Sequence, residues 1–191
     1  MDPVRATLTS YLQSAREALV WKLDGLTEEQ VRRPMTPTGT NLLGLIKHCT
    51  YVENGYLGEV FGRPVADGPT WEGEADPFQD MYATADESMD DIIAGYRRAW
   101  EHADATIAAH DLSDEGSVWW WPEERRHPSL HRVITHVLFD LARHAGHADI
   151  LRERIDGAVG LRADNTNMAT DDPEEWAAYV TRLDAIADRF A

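Results

Sequence analysis

Four titratable side chains recur at helical spacing in the segment His136-Val137-Leu138-Phe139-Asp140-Leu141-Ala142-Arg143-His144-Ala145-Gly146-His147. At about 100° per residue, with His136 at the origin, Asp140 lies at about 40°, His144 at about 80° and His147 at about 20°. The apolar residues of the same helix, Val133, Val137, Leu141, Ala148, Leu151 and Ile155, fall between about 60° and about 140°. His144 therefore points into the buried stripe, and Asp140 flanks it one turn away. A carboxylate and an imidazole aimed into a core are costly unless they are paired or bound to a metal. The i, i+4 spacing lets both reach one point above the helix, offering one oxygen and one nitrogen to a divalent ion.

Such a site needs a third protein donor from a facing helix. His48 is the candidate, because its neighbours Val52, Tyr56 and Cys49 lie at about 40°, 80° and 100° from it, which places it at the edge of a buried face. A second reading stands beside this one: Asp140 and His144 form an intrahelical pair around a hydrogen-bonded core histidine, with no metal. His136 and His147 flank the cluster as residues able to orient a ligand or move a proton. Cys49 reads as a packed core thiol. Arg152 lies beside the apolar stripe and is expected to pair with an acid such as Glu53. Trp119-Trp120-Trp121 would either line a pocket mouth or seal the end of the fold. His102, His110, His127 and His131 read as surface residues. A glycine-rich phosphate loop, a serine nucleophile elbow and a Cys-x-x-Cys pair are all missing from the sequence.

The elements that must position these residues are helical throughout, with no convincing strand alternation. A first helix is expected from about Val4 to Leu26, with Leu8, Leu12, Ala15, Leu19 and Leu23 on one face. The breaker Arg32-Arg33-Pro34-Met35-Thr36-Pro37-Thr38-Gly39 follows. A second helix starts with Thr40 as N-cap and runs to about Gly62-Arg63-Pro64. A third spans about Asp86 to His110. The fourth carries the cluster, from about Ser129 to Asp156, closed by Gly157. A fifth begins at Asp172-Pro173-Glu174-Glu175 and runs to the C-terminus. The connection from about Gly62 to Ala85 is long for a link between antiparallel neighbours. It suits a crossover between two helices that run parallel. The expected fold is all-α: a four-helix bundle with that crossover between helices two and three, plus an extra C-terminal helix packed outside, in one domain over 1–191.

The net charge of −16 is spread along the chain of 191 residues. It argues against nucleic acid or an anionic membrane as partner, since both demand clustered Lys and Arg. A lone cysteine excludes an intramolecular disulfide and fits a reducing compartment. The start of the sequence lacks an apolar signal region and no apolar run reaches membrane-spanning length, so the expectation is a soluble cytoplasmic protein.

Two segments carry a family resemblance: Pro37-Thr38-Gly39-Thr40-Asn41-Leu42-Leu43-Gly44-Leu45-Ile46-Lys47-His48, and Ala142 to Gly157 with its Arg143-His144-Ala145-Gly146-His147 core. The chain resembles the DinB-like superfamily, nearest to the mini-circle-type branch found in actinobacteria. It is thereby related to mycothiol-dependent S-transferases and to the metal-binding domain of mycothiol-dependent maleylpyruvate isomerase. The resemblance implies an up-down-down-up four-helix bundle. It also implies a site with one histidine on helix two and a His-x-x-x-His pair on helix four, holding zinc, nickel or another divalent ion. By position these are His48 and His144, with Asp140 where the family generally has histidine. The mycothiol-dependent isomerases resemble a His, Glu, His version. His147 stands where many members carry glutamine.

The function so implied is activation of a low-molecular-weight thiol, mycothiol, for transfer to a small electrophile or for its isomerisation. The metal ligands would be His48, Asp140 and His144, with His136 and His147 in supporting catalytic roles. A homodimer is expected by similarity. Two alternatives stay open: a metal-binding or stress-response protein without turnover, and a metal-dependent hydrolase.

Overall fold

The computed structural model describes residues 2–66, 68 and 76–191. It divides into two compact units, Met1–Ala158 and Val159–Ala191. No β-strand forms among the described residues. Among them, too, no helix is long and apolar enough to cross a membrane.

Each long helix begins where a short polar side chain can satisfy a free N–H. Helix α1 (Pro3–Trp21) opens on Asp2, which accepts from the Val4 N–H, with proline at the first helical position. The chain then turns through Gly25, whose φ of 76° suits glycine. A five-residue helix α2 (Glu28–Arg32) follows, started by a Thr27–Gln30 capping box. It is too short to leave a periodic signature, and the sequence pattern missed it. Helix α3 (Leu42–Leu57) is capped by Asn41, not by the expected Thr40. It stops well before Gly62, giving way to a 3-10 turn over Glu59–Phe61. Helix α4 (Met89–Ala109) starts at Ser88. Helix α5 (Leu130–Asp156) starts at Ser129 and is closed by Gly157 at a φ of 79°, matching the expected span. In the second unit, α6 (Pro173–Ala187) is capped by Asp172 and passes into a 3-10 turn over Asp188–Phe190.

In the first unit α1, α3, α4 and α5 enclose one apolar core that includes Leu12, Leu19, Ile46, Val52, Val137 and Leu141. Polar contacts give the helix directions. Lys47, early in α3, reaches Glu87 just ahead of α4 at 2.8 Å. Arg63, just past α3, donates to Thr106 late in α4 at 3.1 Å. Helices α3 and α4 therefore run parallel, and the chain between them must return along the bundle, as the long link predicts. Residues 67 and 69–75 of that link lie outside the described residues. Lys22, following α1, meets Asp149 late in α5 at 2.8 Å, so α1 and α5 are also parallel. The topology is up-down-down-up.

The core is not wholly apolar. Arg16 on α1 and Glu53 on α3 are 1% and 0% exposed. The Arg16 Nε lies 3.0 and 3.1 Å from the two carboxylate oxygens of Glu53. Its Nη1 donates to Asp104 on α4 at 2.8 Å. Burial opposes the guanidinium's charge, but Glu53 and Asp104 outweigh it and hold Arg16 above its ordinary pKa. Burial pushes the Glu53 carboxyl up while Arg16 pulls it back. Glu53 is thus taken, and the expected Arg152–Glu53 pair does not form. Arg152 instead binds Asp156 at 2.8 Å and donates to the carbonyls of Lys22 and Asp24, which close the end of α1.

Removing one partner of a buried ion pair leaves an uncompensated charge. Glu53→Ala is expected to lower the unfolding free energy by about 3–5 kcal/mol. The double replacement Arg16→Met with Glu53→Leu should recover most of that loss. Urea unfolding followed by circular dichroism measures both.

Candidate metal centre

The core-facing edges of α3 and α5 meet at His48, Asp140 and His144. One donor atom from each lies within 4.8 Å of the others. The Asp140 Oδ2 atom is 3.7 Å from His48 Nε2 and 3.6 Å from His144 Nε2. Both separations are too long for a hydrogen bond. That oxygen is buried and makes no hydrogen bond. It stands within ion-pair distance of both rings yet is hydrogen-bonded to neither. Four-coordinate zinc, with bonds of about 2.0–2.1 Å, places its donors about 3.3–3.4 Å apart. The two separations from Asp140 are a few tenths of an ångström wider, and the two nitrogens lie within 4.8 Å of each other, so a small inward movement of the rings would let the three donors hold a divalent ion.

The elements aim each ring. His48 sits two turns into α3, and its Nδ1 lies 2.8 Å from Asp80 Oδ2. Asp80 is 6% exposed and belongs to a 3-10 turn, Gln79–Met81, in the crossover link. A carboxylate on Nδ1 fixes the tautomer that leaves the Nε2 lone pair facing Asp140 and His144. Nothing periodic marks Asp80 in the sequence, and the sequence reading passed over it. Its place is set by the docking of the link onto α3. The Asn41 side chain donates to the Met81 carbonyl at 3.3 Å, and that carbonyl also packs against Gly44, which has no Cβ in the way.

His144 is turned by its own helix. Its Nδ1 lies 3.4 Å from Nδ1 of His147, which stands exposed one turn further along α5. Burial, with His48, His147 and Arg143 adding to it and Asp140 opposing, brings the His144 pKa down to about 4. Its ring is therefore neutral at pH 7, the form that can donate a lone pair. The rings of His48 and His144 meet edge to face at 4.8 Å.

His136 does not reach the three donors. One turn before Asp140, its ring lies 4.8 Å from Tyr56 and 5.1 Å from Trp121. Burial is the main cause of its lowered pKa. Trp120 and Trp121 close around Tyr56, while Trp119 remains 57% exposed. Cys49 is fully buried in the core cluster, and burial, with Asp140 and Glu53 nearby, pushes its thiol well up. His127 and His131 are exposed, whereas His102 and His110 are half-buried and bonded to Arg63 and Asp114. A cavity of about 510 Å³ lies on the α4 side of α3, lined by Lys47, Thr50, Asn54 and Arg98 among others, and none of the three donors borders it.

A family model described as mycothiol-S-transferase matches residues 7–157. The chain belongs to the mycothiol S-transferase family. No curated protein matches it in a search of such sequences. The family span takes in α1 to α5 and hence His48, Asp80, Asp140 and His144, whereas α6 lies beyond it.

The close seating of the link on α3 yields an expectation. Gly44→Ala would drive a Cβ into the Met81 carbonyl, a backbone atom that cannot swing aside. The variant should lose about 1–3 kcal/mol of stability. It should also shift the His48 ring resonances by withdrawing Asp80; thermal unfolding and histidine-selective NMR read the two effects. A shift confined to residues around Asn41 would detach the link from His48.

Proposed function

We infer that this chain is a divalent-metal-dependent enzyme that activates a low-molecular-weight thiol, mycothiol, for transfer to a small electrophile. The observation that carries the reading is the buried, unbonded Asp140 Oδ2 lying between two imidazole nitrogens. Membership of the mycothiol S-transferase family supports the thiol. His48, Asp140 and His144 would hold the ion. Two nitrogens and one oxygen suit zinc first, and nickel is the next candidate. When bound there, such an ion supplies a positive charge that lowers the pKa of a thiol in its open position, so that thiolate forms near neutral pH.

The protein's own groups have defined tasks in this reading. Asp80 holds His48 by its Nδ1, and His147 holds His144 by its Nδ1, so neither ring turns its lone pair away. His136 lies one turn from Asp140, with its ring against Tyr56 and Trp121. The carboxylate of Asp140 removes one unit of positive charge from the ion, which distinguishes this donor set from an all-histidine one.

Two measurements test the reading. Protein prepared without a histidine tag should bind one zinc per chain. His144→Ala should abolish that binding, and Asp80→Asn should weaken it by about 10–100-fold, read by competition with a chromogenic chelator. Substoichiometric metal that is indifferent to His144→Ala would sink the metal claim. Zinc-loaded protein should then accelerate the reaction of mycothiol with monochlorobimane. Rapid ester hydrolysis with no thiol dependence would favour a hydrolase, and silence in both assays at full metal loading a binding protein.

A further inference from the structure

Tyr56 lies two turns beyond His48 on α3, with its ring against His136 of α5. Its hydroxyl oxygen accepts two hydrogen bonds, from Trp120 Nε1 at 3.1 Å and from Trp121 Nε1 at 3.0 Å. A phenol has one proton to give and two lone pairs to offer. Both acceptor positions are filled by indoles that can only donate, so the free function of this hydroxyl is as a donor. Two incoming hydrogen bonds also polarise the O–H and strengthen what it gives. No acceptor for that proton is present among the described residues.

The surroundings indicate what it would donate to. Trp120, Trp121 and His136 are each half-buried and show an edge to solvent. Trp121 and His136 stand nearly perpendicular at 5.1 Å, so the walls beside the hydroxyl are flat π surfaces. The ring contact with His136 at 4.8 Å places Tyr56 one helical turn of α5 away from Asp140.

We propose that Tyr56 is a catalytic hydrogen-bond donor to the carbonyl oxygen of a planar electrophile whose carbon–carbon double bond is conjugated to that carbonyl. This assignment rests on the thiol-transfer reading of the adjacent site. The thiol proton passes to solvent and the thiolate sulfur forms a bond to the β-carbon. The π pair of the double bond moves toward the carbonyl, whose oxygen becomes an enolate oxygen. Tyr56 gives that oxygen a hydrogen bond and keeps its own proton. Water then protonates the α-carbon to leave a thioether, or the enolate expels the sulfur after rotation to return an isomerised alkene. A donor placed where charge develops lowers the barrier more than it strengthens ground-state binding.

The test compares two electrophiles in the zinc-loaded, full-length protein with mycothiol as thiol. Cyclohexenone develops an enolate oxygen, whereas benzyl chloride, which has no carbonyl, loses chloride from a methylene carbon. Tyr56→Phe is expected to reduce kcat for cyclohexenone by at least about tenfold, with KM little changed. Its rate with benzyl chloride should stay within about twofold of wild type, as should zinc content. Trp121→Phe removes one of the two incoming N–H bonds and should give a smaller loss, again for cyclohexenone only. It decides the matter alone if Tyr56→Phe does not fold. Equal losses for both electrophiles, or none for either, overturn the role of Tyr56 and leave the thiol-transfer reading intact. A wild-type protein inert toward both overturns that reading and the role of Tyr56 with it.

Discussion

The buried contact between Arg16 and Glu53 sets the geometry on which everything else rests. Two opposite charges with almost no exposure cannot be left slightly misaligned, because each would then lie in the core without its counterpart. Glu53 is five residues beyond His48, about 140° around α3. Holding Glu53 against α1 and α4 therefore fixes the rotation of α3 about its own axis. That rotation presents His48 to α5 and not to solvent. An apolar seam alone would tolerate some slippage of α3, whereas a two-oxygen contact with a guanidinium does not.

The second constraint comes from the link. A crossover between parallel helices is often mere connection, but here its 3-10 turn carries the carboxylate that orients His48. The segment is held from two sides. Asn41 and Gly44 receive it on α3, and Arg32 of α2 donates to the carbonyls of Ala83, Thr84 and Glu87. The short α2 thus serves as a clamp for the chain that positions a donor, which explains why so small an element stays ordered.

The fold was largely legible because its signals are local and repeated. Ser129 and Gly157 bound α5 in the sequence as they do in space, and the length of the link already implied parallel α3 and α4. The meeting of His48, Asp140 and His144 was legible for a similar reason: Asp140 and His144 share one helical face, and His48 borders another. What stayed hidden depends on contacts between distant segments. Asp80 gains its role only when the link lies down on α3. Arg16 outcompetes Arg152 for Glu53 because α1 brings it alongside, and no periodicity within either helix states which of two arginines arrives. Tyr56 reads as one more apolar position on α3 until Trp120 and Trp121 fold over its hydroxyl.

Cys49 follows His48 in sequence yet faces the opposite interest. Under the proposed function, a protein that handles free thiols and reactive electrophiles is exposed to self-inactivation, by mixed disulfide with its co-substrate or by alkylation of its own thiol. Its sole thiol is sealed in the core and kept protonated by its surroundings. The one thiol the chain possesses is thereby withdrawn from the chemistry proposed next door, and a catalyst of this kind could turn over in excess electrophile without consuming that thiol.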